Sequence, residues 1–275
     1  MPVDAFVLAL GSAFLHALWN VLLARERDVH AATAVAMAGS VVVFAPVAAL
    51  RWDADPQVWP YVVVTSLLQL VYFGLLAVAY GRAEVSLVYP IARGVAPVLV
   101  LVVGVVALGV GASAGQALGV CLVGAGVLLV RGLARRHDPA GLALGLAIAG
   151  VIAAYTLLDK RGIRYADPVV YLELGMVPAS IAYLAVVASF AGGRQRLRRA
   201  LRPVPVTAGL LSFVAYALVL AALALADAAS VAAVRETSVL IATGLAAWLL
   251  GERIGRARAV GAALIVAGVA LVALR

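Results

Sequence analysis

A chain of 275 residues in which 65% of side chains are hydrophobic and only 12% are charged is too apolar for a soluble fold of its size. Its mean hydropathy of +1.11 points to an all-helical integral membrane protein. That excludes a soluble nucleic-acid binder despite the net charge of +8. The single cysteine, Cys121, lies in an apolar stretch and excludes a disulfide framework.

A spanning helix needs about 20 apolar residues. Ten such segments can be drawn, at 4–24, 31–50, 59–81, 86–108, 114–130, 140–159, 168–190, 204–226, 229–250 and 257–274. The Gly- and Ala-rich run around 104–126 also permits nine. The first segment, MPVDAFVLALGSAFLHALWN, lacks the basic start and small-residue cleavage site of a secretory signal peptide, so it is expected to be a retained helix. Ser12, His16 and Asn20 recur every four residues and share one face, with Trp19 beside them. That polar stripe can line a cavity or glue two helices together. His16 titrates near neutral pH and is a candidate proton relay; a packed hydrogen-bonding group is the alternative. Span two carries Pro46, and span three carries Gln69 with Tyr72, Phe73 and Tyr80 beyond it.

Span four opens SLVYPIARG (86–94), with Arg93 roughly eight residues inside. A charge at the bilayer centre costs about 2.5–3.5 kcal/mol on insertion scales. Arg93 is too deep to reach the interface easily. Pro90 and Pro97 remove two backbone donors from this span, and Pro90 disfavours the helical state at Tyr89. A weakened helix with Arg93 in a water-filled cavity is one reading; a structural pair with Glu173 or Glu236 is the other. Span six carries Tyr155 and ends in Asp159-Lys160-Arg161, where a local ion-pair cluster at the membrane interface is expected. Tyr89 and Tyr155 can offer ring faces and hydroxyls to an amphipathic ligand, or can simply pack. Span seven, beginning DPVVYLELG, places Glu173 near one interface and Pro178 mid-span. Pro46 and Pro178 are candidate bending points during gating. Span nine holds Arg235 and Glu236, adjacent residues that face different neighbours on a helix and so need not pair.

Twenty arginines and one lysine carry the positive charge. Fourteen fall in the loops after spans one, three, five, seven and nine, and five on the side of the N-terminus. The remaining two are Arg93 and Arg235. The positive-inside rule then places the arginine-rich face in the cytoplasm and both termini outside a plasma or inner membrane. The RQRLRRALR stretch at 194–202 is read as one of these cytoplasmic loops.

The chain repeats itself. LGVGASAGQALGVCLVGAGVLLV (108–130) aligns without a gap on LGERIGRARAVGAALIVAGVALV (250–272), at an offset of 142. Gly109, Gly119 and Gly126 meet Gly251, Gly261 and Gly268, and the same offset brings Arg93 onto Arg235. LWNVLLARER (18–27) matches AYTLLDKRGI (154–163) more loosely. The expected organisation is a first five-helix repeat at 1–131, a cytoplasmic linker at 132–139 and a second five-helix repeat at 140–275. An odd number of helices per half inverts the second half in the membrane. Such inverted repeats are typical of secondary transporters, with the substrate site between the halves.

These five-helix halves, and LLGERIGRARAVGAALIVAGVAL near the C-terminus, resemble the EamA family of the drug/metabolite transporter superfamily over nearly the whole chain. The strongest piece is Gly251-Glu252-Arg253 followed by Gly261 and Gly268. Two departures stand out: Gly109-Val110-Gly111 replaces the family's Gly-Glu-Arg, and Arg235-Glu236-Thr237-Ser238 occupies a place usually apolar and ending in proline. The resemblance implies transport, in the export direction, of small organic molecules. It assigns Glu252 and Arg253 a structural role.

The site residues expected to touch substrate are Arg93, Arg235, Tyr89, Asn20, Trp19, Gln69 and Tyr155. The coupling candidates are Glu236, Glu173 and His16. Two buried arginines favour an anionic group, and a nearby carboxylate favours an amine, so a zwitterionic metabolite such as an amino acid satisfies both. No Walker motif is present, and neither cofactor nor metal is expected. The expected partners are the substrate, the bilayer and protons as coupling ion. A lipid-linked-sugar flippase and a cationic-drug exporter are alternatives on the same fold. A membrane enzyme would want HExxH or a paired-carboxylate cluster, which the chain lacks.

Overall fold

The protein, seen in a computed structural model, is described over residues 1–82, 85–131, 138–250 and 255–274. The first half comprises α1 (Val3–Ala24), α2 (Val29–Leu50), α3 (Trp59–Arg82), α4 (Val85–Val106) and α5 (Ala114–Arg131). The second comprises α6 (Pro139–Gly162), α7 (Pro168–Ser189), a short α8 (Gly193–Ala200), α9 (Pro203–Leu225), α10 (Ala228–Arg235), α11 (Thr237–Leu250) and α12 (Arg256–Ala273). The helix starts follow from local chemistry. Asp28, Asp138, Asp167 and Asp227 each accept a hydrogen bond from a first-turn backbone N–H. Pro139, Pro168 and Pro203 stand at first-turn positions, where a missing N–H costs nothing.

Eight described helical segments are long and apolar enough to cross a membrane, one of them, Ala228–Leu245, running across α10 and α11, and two shorter apolar stretches, Pro90–Val106 and Ala114–Val130, accompany them. The expected count of ten full spans is therefore not reached by that measure. Span nine differs most. It divides into α10 and α11 at Glu236, whose N–H bonds to the Ala233 carbonyl. Span four does the reverse: α4 runs as a helix through both Pro90 and Pro97. Both prolines are buried, whereas Pro46 and Pro178 are exposed on α2 and α7, which continue through them. The 194–202 stretch is not simply a loop: its first part forms α8, entered through Gly192 at φ 71°, where a side chain would be strained. The 132–137 part of the linker and the Glu252-Arg253 pair lie outside the described residues.

The halves interlock by exchange. α1 packs against α9, α10 and α11 of the other half, while its counterpart α6 packs against α3 and α4 of the first; α2 meets α7, and α5 meets α12. The α5–α12 contact carries the clearest signature of the repeat. A Cβ on Gly119 would lie 2.7 Å from the Gly268 carbonyl oxygen, and one on Gly126 2.6 Å from that of Gly261. Gly261 and Gly268 return the relation at 2.7 and 2.5 Å. Aligned glycines thus meet crosswise, as an axis of pseudo-two-fold symmetry requires. In lipid, where apolar burial gives helices no reason to associate, such close backbone approach supplies the packing. Gly126→Leu is expected to destabilise the protein by about 1–3 kcal/mol through overpacking. Thermal unfolding in detergent checks this; an unchanged midpoint would count against the crossing. The N-terminal ammonium donates to the Ala273 carbonyl at 3.3 Å, so both chain ends lie on one face.

Candidate functional site

The buried polar residues gather where the halves meet. Arg93 on α4 is 7% exposed, and its Nε lies 3.1 Å from Glu236 Oε2 at the break between α10 and α11. Its Nη2 donates to Ser238 Oγ at 3.3 Å. Of the two partners the sequence offered Arg93, Glu236 is the one it meets. The repeat explains the asymmetry. The position after Arg93 is Gly94, whose Cβ would lie 3.0 Å from the Gly124 carbonyl oxygen, so α4 and α5 press together there. The position after Arg235 is Glu236, which instead reaches across to the first half.

Arg235, also 7% exposed, takes another course. Its guanidinium carbon stands 5.6 Å from the centre of the Tyr216 ring on α9, a cation–π contact. No carboxylate forms an ion pair with it among the described residues. Tyr216 in turn donates to Asp159 Oδ2 at 2.6 Å. Asp159 Oδ1 accepts from Thr65 on α3 at 2.7 Å and from Tyr171 on α7 at 2.8 Å. Four helices therefore converge on one carboxylate that is 1% exposed. This corrects the expected interfacial ion-pair cluster at 159–161. Lys160 turns away and donates to the Leu223 carbonyl, Arg161 is exposed, and Asp159 points inward to hydroxyls. Helical geometry separates the three, because successive side chains diverge by about 100°.

Tyr155, one turn before Asp159, is buried, with its ring 6.1 Å from Tyr216 and 6.4 Å from Tyr72. The Arg235 guanidinium is placed to hydrogen-bond its hydroxyl, and the charges of Arg93 and Asp159 also reach it. Gln69 is half-buried and shares a face of α3 with Thr65 and Tyr72 by its spacing of four and three. The side chain of Tyr89 lies outside the described residues.

On α1, Asn20 donates to the His16 carbonyl of its own helix at 2.7 Å, and His16 meets Trp19 edge-on at 4.9 Å. The amide thus serves its own turn rather than a neighbouring helix. Trp19 Nε1 has no acceptor among the described residues. Glu173, 6% exposed on α7, has both carboxyl oxygens buried without a hydrogen-bond partner among the described residues.

A family model of the EamA-like transporter family matches residues 5–132 and again 139–274. The chain belongs to this family. It is a multi-span membrane protein of two-repeat architecture whose family relatives are transporters. Among solved structures, 27 chains match; one, a crystal structure titled only as that of a protein, superposes with a TM-score of 0.78 at 17% identity, covering 100% of this chain and 99% of its own. That likeness establishes the fold. No curated protein matches at a significant level.

In this EamA-like chain the halves are also tied at both membrane faces. On the face with the termini, Arg51 after α2 pairs with Asp167 before α7 at 2.7 Å, and Ala54 bridges Ala166. On the opposite face, Asp28 before α2 pairs with Arg196 of α8 at 2.5 Å, and Glu26 pairs with Arg202. Each acid that caps the second helix of one half, Asp28 or Asp167, thus pairs with an arginine that follows the second helix of the other. Sequence reasoning read these arginines only as orientation signals; the signal that could have found the ties is the Asp at matching cap positions. The Arg196 guanidinium holds the Asp28 carboxyl down to about 2. A depressed folded-state value means that the cap and tie are intact at neutral pH and are lost as pH falls from about 4 through about 2. Asp28→Asn is expected to lower the unfolding midpoint at pH 7, with the difference from wild type shrinking across that window. A difference that stays constant down to pH 2 would contradict the assignment.

Proposed function

We propose that this protein is a secondary transporter. It moves a small organic metabolite bearing a carboxylate or similar anion by alternating access between two inverted five-helix halves. Arg235 carries the reading. It is a buried guanidinium at the break of a membrane helix, between the halves, and no carboxylate ion-pairs with it among the described residues. A buried cation of this kind marks a substrate pathway more often than a stabilising contact. A planar fork beside a broken helix suits a carboxylate, as transporter sites at repeat interfaces do. Tyr216, Tyr155 and Tyr72 furnish ring faces for the rest of the ligand, with Gln69, Asn20 and Trp19 on the flanking faces of α3 and α1. Arg93 serves as the counterpart held in reserve by Glu236. Ties at both faces are what an occluded state would carry.

Ten crossings with the termini outside and the arginine-rich face in the cytoplasm complete the proposal, together with export as the direction. The meeting of the two chain ends on one face supports an even number of crossings. For coupling to protons, Glu173 is the carboxylate we favour over Glu236, which is engaged by Arg93. The test is counterflow in proteoliposomes loaded in turn with amino acids, organic acids, nucleobases and cationic drugs. Saturable exchange of compounds carrying an anionic group is the expected result. Exchange confined to cations without one would overturn the reading and favour a drug-type exporter.

A further inference from the structure

Asp159 is a buried carboxylate with acceptor capacity to spare. An ionised carboxylate can accept about four hydrogen bonds. Asp159 takes three, all from neutral hydroxyls: Thr65 at 2.7 Å, Tyr171 at 2.8 Å and Tyr216 at 2.6 Å. Among the described residues no lysine, arginine or histidine comes within ion-pairing distance. The cation whose field reaches it is Arg235, which lies against the ring of the same Tyr216 whose hydroxyl Asp159 holds. One tyrosine therefore separates two buried, opposite charges that do not collapse onto each other. The contrast with Arg93 and Glu236, closed at 3.1 Å a short way along the same interface, is direct.

We infer that Asp159 is the specificity residue that receives a substrate ammonium group, so that the site selects zwitterions over simple anions. The inference rests on the transport reading above, in which Arg235 takes the anionic end. Opposite charges held apart by a ring match a ligand that carries an ammonium and a carboxylate on one carbon. The hydroxyls of Thr65, Tyr171 and Tyr216 come from α3, α7 and α9, so they fix the carboxylate without neutralising it. A ligand that lacks the ammonium leaves that carboxylate buried with only neutral partners. Sites that hydrogen-bond one substrate group reject analogues without it for this reason.

The full-length protein purified in detergent would be titrated with alanine, leucine and phenylalanine. Each is compared with its skeleton lacking the amine (propionate, isocaproate, hydrocinnamate) and lacking the carboxylate (ethylamine, isopentylamine, phenethylamine). Ligand-induced thermal stabilisation is the readout. At least one amino acid is expected to bind at least about tenfold more tightly than both of its relatives. Asp159→Asn should abolish that preference while the deaminated acid still binds. If Asp159→Asn fails to fold, Asp159→Ser, which keeps a polar group for the surrounding hydroxyls without the charge, should abolish the preference in its place. Deaminated acids that match the amino acids in the wild type would overturn the inference. So would an Asp159→Asn variant that weakens both classes equally. If deaminated acids bind and Arg235→Ala abolishes that binding, the transport reading stands while the role of Asp159 falls. If none of the nine compounds stabilises the wild type, the inference falls, and the counterflow panel decides the transport reading separately.

Discussion

Arg235→Ala is expected to remove ligand binding while the protein remains folded. The guanidinium is buried but has no ion-pair partner to orphan among the described residues, so truncation leaves no stranded carboxylate. Its loss removes a cation–π contact with Tyr216, worth about 0.5–2 kcal/mol of stability. The effect on a bound anion is larger. Removing one partner of a desolvated charge pair costs about 2–5 kcal/mol of binding, or roughly 30-fold or more in affinity. Arg235→Lys keeps the charge but not the planar two-pronged geometry, and should recover only part of that loss. Saturable uptake by the alanine variant, equal to that of wild type, would remove Arg235 from the site.

Arg93 is expected to behave in the opposite way. Its side chain is 8% exposed and that of Glu236 is 5% exposed, so the pair is desolvated on both sides. Removing either partner alone strands the other, and costs about 3–5 kcal/mol. Replacing both, as Arg93→Met with Glu236→Leu, removes the stranded charge and should restore most of the stability, since apolar isosteres often match a buried pair. The four unfolding midpoints form a double-mutant cycle with a large favourable coupling. Additive losses would show that the two side chains do not depend on each other. The two arginines that the repeat aligns thus have different expected phenotypes, and the difference comes from one position: Gly94 in the first half, Glu236 in the second.

Much of the architecture can be read from the residues because the repeat constrains it twice. The glycines at 119, 126, 261 and 268 stand out in the sequence at an offset of 142, and the fold brings them together crosswise. The two intramembrane arginines stand out for the same reason. Three features resisted. The break at Glu236 has no proline or glycine to announce it. Helix α8 is too polar and short to register against membrane spans. Asp159 sits at the end of an apolar run beside Lys160 and Arg161, which in one dimension looks like an interface. Its real partners lie 94, 57 and 12 residues away, and only the packing of α3, α9 and α7 around α6 brings their hydroxyls to it.

Transport by alternating access requires an interior path between the halves that opens in turn to each side. We would replace Cys121 by serine, introduce one cysteine at Gln69, and label it in sealed vesicles with a membrane-impermeant maleimide applied from one side and then the other. Gln69 lies on the same face of α3 as Thr65, which bonds Asp159, and Tyr72, which meets Tyr155, and its side chain has no hydrogen bond among the described residues. Labelling from both sides, slowed by a transported compound, is the predicted result. Labelling from one side alone, or protection from both under all conditions, would contradict alternating access through this site.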